Sequence, residues 1–206
     1  MFTVSVRSDM KSLSRTLDGF AKKQLQFATA QAINATAEIV KRAQQDNMKK
    51  VLDAPTPFTV NSIGIKKATK ANLNATVFVK PVAAAYLLPY ETGGKNKLNS
   101  QALLKPVNAK VNQYGNLPRN LVKRLTAKPN VFVGKVQTKD GLVDGVWQRT
   151  KKTRGKKAGL KLMVKFEDAH EATQHLDYGG VAKRVVGAVF RVELEKAMAK
   201  AMASAR

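Results

Sequence analysis

The sequence predicts an α+β fold: two long helices packed on a mainly antiparallel β-sheet, with long extended loops. Three observations carry this. An apolar stripe of helical period runs over residues 8–53. A second such stripe runs from about His175 or Val181 to Ala205. Between them the period drops to two in short segments near Ile63, Val77, Val133, Val146 and Val164. The 206 residues fit a single domain able to bury a core.

The chain opens with Phe2, Val4 and Val6 alternating with Thr3, Ser5 and Arg7, which predicts a short strand. The helix over 8–53 follows. No proline interrupts residues 1–54, Ser8 or Ser12 can cap the start, and Pro55 and Pro57 enforce the stop. Its stripe is Leu17, Ala21, Leu25, Ala28, Ala32, Ala35, Ile39 and Ala43, mostly alanine, so whatever packs on it comes close. Gly19 weakens the first turns and marks a possible break. The helix is either a core helix with a solvated outer face or one whose Lys-bearing face meets another subunit. Pro55 to Val60 predicts an extended entry into a strand holding Ile63 and Ile65, and residues 75–80 a second strand stopped by Pro81, the two antiparallel.

Residues 86–128 carry little periodicity and are punctuated by Gly93, Gly94, Pro106, Gly115 and Pro118, with helical turns expected only over 120–126. A connection of this length is either functional and ordered by a partner or a mobile surface loop. As an inter-subunit arm, its contact residues would be Tyr90, Lys95, Lys97, Leu103, Leu104 and Tyr114. Strands resume at Val131. Asp140 and Gly141 predict a hairpin turn leading back through Trp147, and residues 160–166 supply a third arm. Between the last two lies a basic tip, residues 149–159, with Arg149, Lys151, Lys152, Arg154, Lys156 and Lys157. Glu167, Asp168 and Glu171 precede the closing helix and are expected to cap it. That helix shows Val186, Phe190, Leu194, Ala197 and Ala201 on one face.

The net charge of +23 is the feature that bounds function. Like charges at this density repel, so the chain calls for an anionic partner: nucleic acid, an acidic protein surface or an anionic membrane. No apolar run reaches the length of a membrane span, and residues 1–10 have neither the basic head nor the apolar core of a signal peptide. The absence of Cys excludes disulfides and thiolate metal sites and fits a reducing compartment. Charge is uneven: residues 54–139 hold fourteen Lys or Arg against one acid, Glu91, and residues 145–165 hold eight against none.

Signatures of catalysis are missing. There is no phosphate-binding glycine loop and no dinucleotide fingerprint. His170 and His175 are five apart and have no Cys to complete a metal site. No enzyme, metal or cofactor is expected. No helix-turn-helix, zinc finger or RNA-recognition signature appears either, so nucleic acid would be met through its phosphates, without sequence readout. The basic tip is then either a solvated hairpin end or a finger aimed at DNA phosphate or an acidic protein patch.

Taken together, the Ala32-Ile33-Asn34-Ala35-Thr36-Ala37 run, the segments Pro57-Phe58-Thr59-Val60-Asn61-Ser62-Ile63 and Lys67-Ala68-Thr69-Lys70, the later hairpin with Gly145-Val146-Trp147-Gln148-Arg149, the basic tip and the closing helix resemble the minor tail protein Z family of tailed bacteriophages and prophages, the tail-completion proteins. The resemblance implies a structural virion protein at the head-proximal tail or neck, joining tail to head where the DNA end is placed. It implies a ring, sixfold like the tail tube, with other tail and neck proteins as partners and double-stranded DNA met through phosphates. It places the chain in the virion, and in the host cytoplasm before assembly. The alternative is a stand-alone basic nucleic-acid-binding protein of ribosomal or nucleoid type.

Overall fold

The computed structural model describes residues 3–7, 19–95, 102–152 and 157–204. Helices and antiparallel sheets share the chain, as an α+β fold requires. The expected single domain is instead two compact units, Met1–Gly94 with Ala172–Arg206, and Lys95–Glu171. The strand segments accordingly do not join one sheet. Those near Ile63 and Val77 lie in the first unit with both long helices, and those near Val133, Val146 and Val164 lie in the second. Alternating periodicity says that a strand has one buried face, not which sheet it joins.

In the first unit, β1 (Thr3–Arg7), β2 (Ile63–Lys66) and β3 (Asn74–Val79) form an antiparallel sheet in the order β1-β3-β2. The central strand β3 alternates cleanly and buries Ala75, Val77 and Val79. The long helix, α1 (Gly19–Val51), is 33 residues long, about 50 Å at 1.5 Å per residue. Gly19 is already helical, and the expected Ser8 or Ser12 cap lies outside the described residues. After Val51 the helix is ended by Ala54, at φ 41°, before Pro55.

The buried line of α1 turns partway along. Leu25, Ala28 and Ala32 are buried as the stripe predicts, but Ala35, Ile39 and Ala43 are half-buried. The fully buried positions further on are Ile33, Thr36, Ala37, Val40, Gln44 and Met48. Two partners explain the turn. Ala28 and Ala32 meet Ala197 and Ala201 of the closing helix, α5 (Tyr178–Ser204). The line from Ile33 to Met48 belongs to the cluster containing Ile63, Val77, Leu87 and Tyr178.

Amide side chains on α1 satisfy the backbone of the segments it carries. Asn34 holds Ala68 on both sides: its Nδ2 donates to the Ala68 carbonyl (3.0 Å) and its Oδ1 accepts from the Ala68 N–H (2.7 Å). Gln44 Nε2 donates to the Tyr178 carbonyl and Asn47 Nδ2 to the Leu176 carbonyl, each at 2.7 Å.

Two short helices replace expected coil or strand. The entry into β2 is α2 (Pro57–Val60), not extended chain; Thr56 caps it through its hydroxyl, and Pro57 takes the first helical position, where no N–H is needed. Pro81 does not merely stop β3 but opens α3 (Pro81–Thr92), and Gly93 N–H closes it on the Pro89 carbonyl at 2.8 Å. This takes the start of the expected irregular arm. Tyr90 sits in α3, half-buried on the core, with its ring edge-on to His175 at 5.2 Å between centroids. Its neighbour Glu91 supplies the cap expected from Glu167, Asp168 and Glu171: Glu91 Oε2 accepts from Tyr178 N–H at 2.8 Å, and Oε1 from Gly179 N–H at 3.5 Å. A carboxylate there complements the positive end of the helix dipole. Burial, with Glu91 nearby, raises the Tyr178 hydroxyl well above the ordinary tyrosine value.

The chain passes between units through β4 (Gly94–Lys95) and β9 (Glu171–Ala172), which pair with each other. The second unit is a four-stranded antiparallel sheet of β5 (Leu103–Pro106), β6 (Val131–Thr138), β7 (Gly141–Thr150) and β8 (Gly159–Glu167), ordered β5-β8-β7-β6, with the short helix α4 (Leu121–Thr126). Leu125, Val131, Val146 and Val164 form its core. The Thr138↔Gly141 pair closes a two-residue turn, with Gly141 at φ 111°.

Ala28 and Ala35 were both expected to be tightly packed, and only Ala28 is. Ala28→Leu should cost about 1–3 kcal/mol in chemical denaturation, and Ala35→Leu clearly less. Asn34→Ala, which strands both backbone groups of Ala68, should also cost about 1–3 kcal/mol. Equal midpoints for the two leucine variants would contradict the turned face.

Candidate functional site

The basic tip stands on the β7–β8 hairpin, and the sheet beneath it is shaped by a pair of glycines. Gly134 and Gly145 are directly opposed across β6 and β7, leaving a bare strip beside Trp147. The indole uses it: Trp147 is 5% exposed and its N–H donates to the Gly134 carbonyl at 3.1 Å. A Cβ at Gly145 would run into the Val164 carbonyl oxygen, so the close approach of β8 needs glycine there. Phe132 pairs with Trp147, and Arg149, two residues on, shares their face. The Arg149 guanidinium lies 4.9 Å from the Phe132 ring centre, which orients the cation while leaving it exposed.

A register shift between Val146 and Trp147 frees the end of the hairpin. Val146 opposes Val164 but Trp147 opposes Leu162, so Met163 is the extra residue. The Met163 carbonyl collects the N–H groups of Val107, Asn108 and Ala109 at 3.1–3.2 Å, and there the chain of β5 leaves the sheet. On the other side, β6 pairing ends at Gln148, with Arg149 N–H bonded to the Asn130 carbonyl at 2.8 Å. Among the described residues only the last rung of this β7–β8 ribbon, Thr150↔Gly159, has no third chain bonded beside it. Thr150 pins its end: Oγ1 donates to the Gly159 carbonyl (3.0 Å) and accepts from the Gly159 N–H (3.1 Å).

Of the expected contact residues, Arg149, Lys151, Lys152 and Lys157 are exposed on this ribbon and its loop. Arg154 and Lys156 lie outside the described residues. Lys161 joins the group; it opposes Gln148 and faces away from Arg149. Among the described residues, no carboxylate lies within ion-pair distance of these five cations.

The expected arm residues are not brought together. Leu103 and Leu104 lie in β5, paired with β8 and still exposed. Tyr114 is half-buried in a turn where Asn112 Oδ1 accepts from the N–H groups of Tyr114 and Asn116, each at 3.0 Å. Tyr90 belongs to α3, Lys95 is exposed in β4, and Lys97 lies outside the described residues. The segment reads as irregular because its strand is four residues long and its turns rest on asparagine side chains.

A charge cluster that the sequence does not announce sits at the far end of β8. Lys105 and Lys165 are directly opposed across β5 and β8, which by itself is repulsive. Glu167, on the same face, stands between them, with Oε1 3.4 Å from Lys105 Nζ and 2.8 Å from Lys165 Nζ. Its other oxygen is 2.9 Å from His170 Nε2. The Lys165 hydrogen bond, helped by the charge of Lys105, holds the Glu167 carboxyl below its ordinary value, against a desolvation that would raise it. Lys165, Glu167 and His170 line a cleft of about 750 Å³ with Asp144, Asp168, Lys135 and Phe166. Two lysines and an imidazole around one carboxylate serve to fix the end of the sheet. Only the strand register reveals the cluster, because Lys105 and Lys165 are sixty residues apart.

Comparison with protein-family models, curated proteins and solved structures gives no match to this chain.

Glu167→Gln should lower stability near neutral pH. The folded-state pKa lies below the ordinary 4.5, so this stabilisation is complete above pH 4.5 and is lost as the pH falls through the folded value. Denaturation midpoints of wild type and Glu167→Gln should therefore differ at pH 7 and converge under acid. A gap that stays constant down to pH 3 would show that the charge is not its source.

Proposed function

We propose that this chain is a structural virion protein of a tailed phage, a minor tail or tail-completion protein at the head-proximal tail or neck, and not an enzyme. The observation that carries the reading is the density of positive charge over residues 95–171. Residues 95–171 hold 18 Lys and Arg against 5 acids, and the cations of the ribbon have no protein counter-ion among the described residues. Such a surface meets an anion on assembly, either nucleic-acid phosphate or an acidic protein patch. The Asn34–Ala68 pair lends support, because it ties together two of the segments on which the family resemblance rests. In this reading the chain forms a ring, sixfold with the tail tube, and contacts other tail and neck proteins. The exposed Leu103 and Leu104 face a neighbouring subunit, and the basic unit lies toward the DNA end.

A second reading, a basic nucleic-acid-binding protein of ribosomal or nucleoid type, draws on the same charge. The two separate in the particle. Purified virions should contain the chain, and withholding its expression during phage growth should yield heads and tails that fail to join. Infectious particles formed at normal yield without it would overturn the virion reading. Recovery only with bulk host nucleic acid would favour the second.

A further inference from the structure

We propose that the outer edge of β6 is a docking site for an extended acidic segment of a partner protein, which adds as a further strand to the sheet of the second unit. This rests on the acidic-protein version of the reading above and names the element and the form of the partner. β6 is an outer strand: it pairs with β7 and with no other strand. In an antiparallel pair, alternate residues turn their backbone groups toward the neighbouring strand and away from it. The Arg149 N–H bonds the Asn130 carbonyl, and the Val131 N–H turns the other way, to the Lys128 carbonyl. By that alternation Val133, Lys135 and Gln137 turn their N–H and C=O groups out of the sheet, where none has a partner among the described residues. Such an edge, with no proline and no bulge, is a template for another strand.

The opposite edge of the same sheet shows the contrast. β5 is four residues long, and Pro106, which has no N–H, takes a position that faces out of the sheet. Proline there closes an edge to pairing. On β6 the one comparable device is Lys135, and a lysine excludes by charge. Lys135 is exposed, Lys128 and Lys139 are exposed beyond the two ends of the strand, and Arg149 lies over Phe132; the acids nearby are Asp140 and Asp144. Asp144 opposes Lys135 across β6 and β7 but forms no ion pair with it. A second copy of this edge would set these cations against their like. An acidic strand meets them with opposite charge, in a unit that holds 18 Lys and Arg against 5 acids. The side chains define the pattern of that strand. Val133, Lys135 and Gln137 are exposed on one face of β6, and half-buried Phe132 and Val136 flank Gly134 on the other. A complementary strand sets acids beside Lys135 and apolar residues beside Phe132 and Val136.

The test uses the full chain with three synthetic peptides as long as β6: one of alternating glutamate and valine, one with glutamine in place of glutamate, and the glutamate peptide N-methylated at its glutamates, whose N–H groups would bond β6. The unmodified glutamate peptide should bind at least about tenfold more tightly than either of the others. Amide hydrogen exchange reads the geometry. In the free chain the amides of Val133, Lys135 and Gln137 should exchange fast and those of Phe132, Gly134 and Val136 slowly. The glutamate peptide should slow the first three at least about tenfold. Gln137→Pro removes one outward N–H without touching the β6–β7 bonds and should weaken that peptide about two- to tenfold. Equal affinity for the N-methylated peptide, or unchanged exchange at the three amides in the bound state, would overturn strand addition and leave contact with an acidic protein standing. Equal affinity for the glutamine and glutamate peptides would overturn the acidic partner. No binding of any peptide would overturn the docking site and leave nucleic-acid phosphate as the anion met by this unit.

Discussion

The first unit depends on one constraint: a helix of 33 residues must be covered along its length by elements drawn from distant parts of the chain. Helix α1 touches α2, the three strands of its sheet and α5, and no other element of the unit does as much. Its sequence answers with two kinds of side chain. Where α5 crosses, both helices offer alanine, Ala28 and Ala32 against Ala197 and Ala201, so the backbones come close. Where irregular chain crosses, it offers amides. Asn34 and Asn47 take up backbone groups of Ala68 and Leu176, which lie outside helices and strands, and Gln44 takes the carbonyl of Tyr178, the first residue of α5. Gln44 is fully buried, so its bond to the Tyr178 carbonyl offsets a desolvation cost that a surface amide would not meet.

That division explains what could be read from the sequence and what could not. The long helices, the hairpin turn before Gly141 and the strands around Val77, Val146 and Val164 follow from local period and turn chemistry, and each is present. Helix α3 escapes the same logic because it has almost no polar face: Pro81 to Tyr90 is apolar apart from the tyrosine hydroxyls, so periodicity has nothing to contrast. Its two prolines read as breakers, yet one sits at the helix start and the other in the last turns, where Gly93 still reaches the Pro89 carbonyl. The Thr56–Pro57 pair did hold a helix signal, a capping hydroxyl followed by proline, which the expectation of extended chain overrode. Glu91 was visible only as the lone acid of a basic stretch; that it caps a helix begun 87 residues later is a tertiary fact.

For the candidate site, the cations were legible and their setting was not. Six basic residues within the tip are plain in the sequence. That Arg149 rests on Phe132, that Lys161 faces the opposite way, and that β5 and β6 both end before the tip all depend on register and on the bulge at Met163. The local structure of the segment expected as an inter-subunit arm was hidden for a related reason. Its residues are distributed over α3, β4, β5 and an asparagine-held turn, and each local piece is too short to show a period.

The two basic clusters of the second unit show how a small core tolerates so much like charge. At one end of β8 the repulsion between opposed lysines is offset internally, with Glu167 serving Lys105 and Lys165 at once and His170 on its second oxygen. At the other end no carboxylate among the described residues does the same. Thr150 and Gly159 fasten the ribbon by neutral hydrogen bonds, Arg149 is oriented by an aromatic ring, and the charges are left to solvent. Had fold stability been the only demand, a second carboxylate among these lysines would reduce the repulsion at little cost, since exposed pairs need little desolvation. The sheet instead holds its ribbon rigid by means that do not neutralise it. Of these cations Arg149 is held in place by a ring, so the cost of ordering it is met within the fold and not when an anion binds.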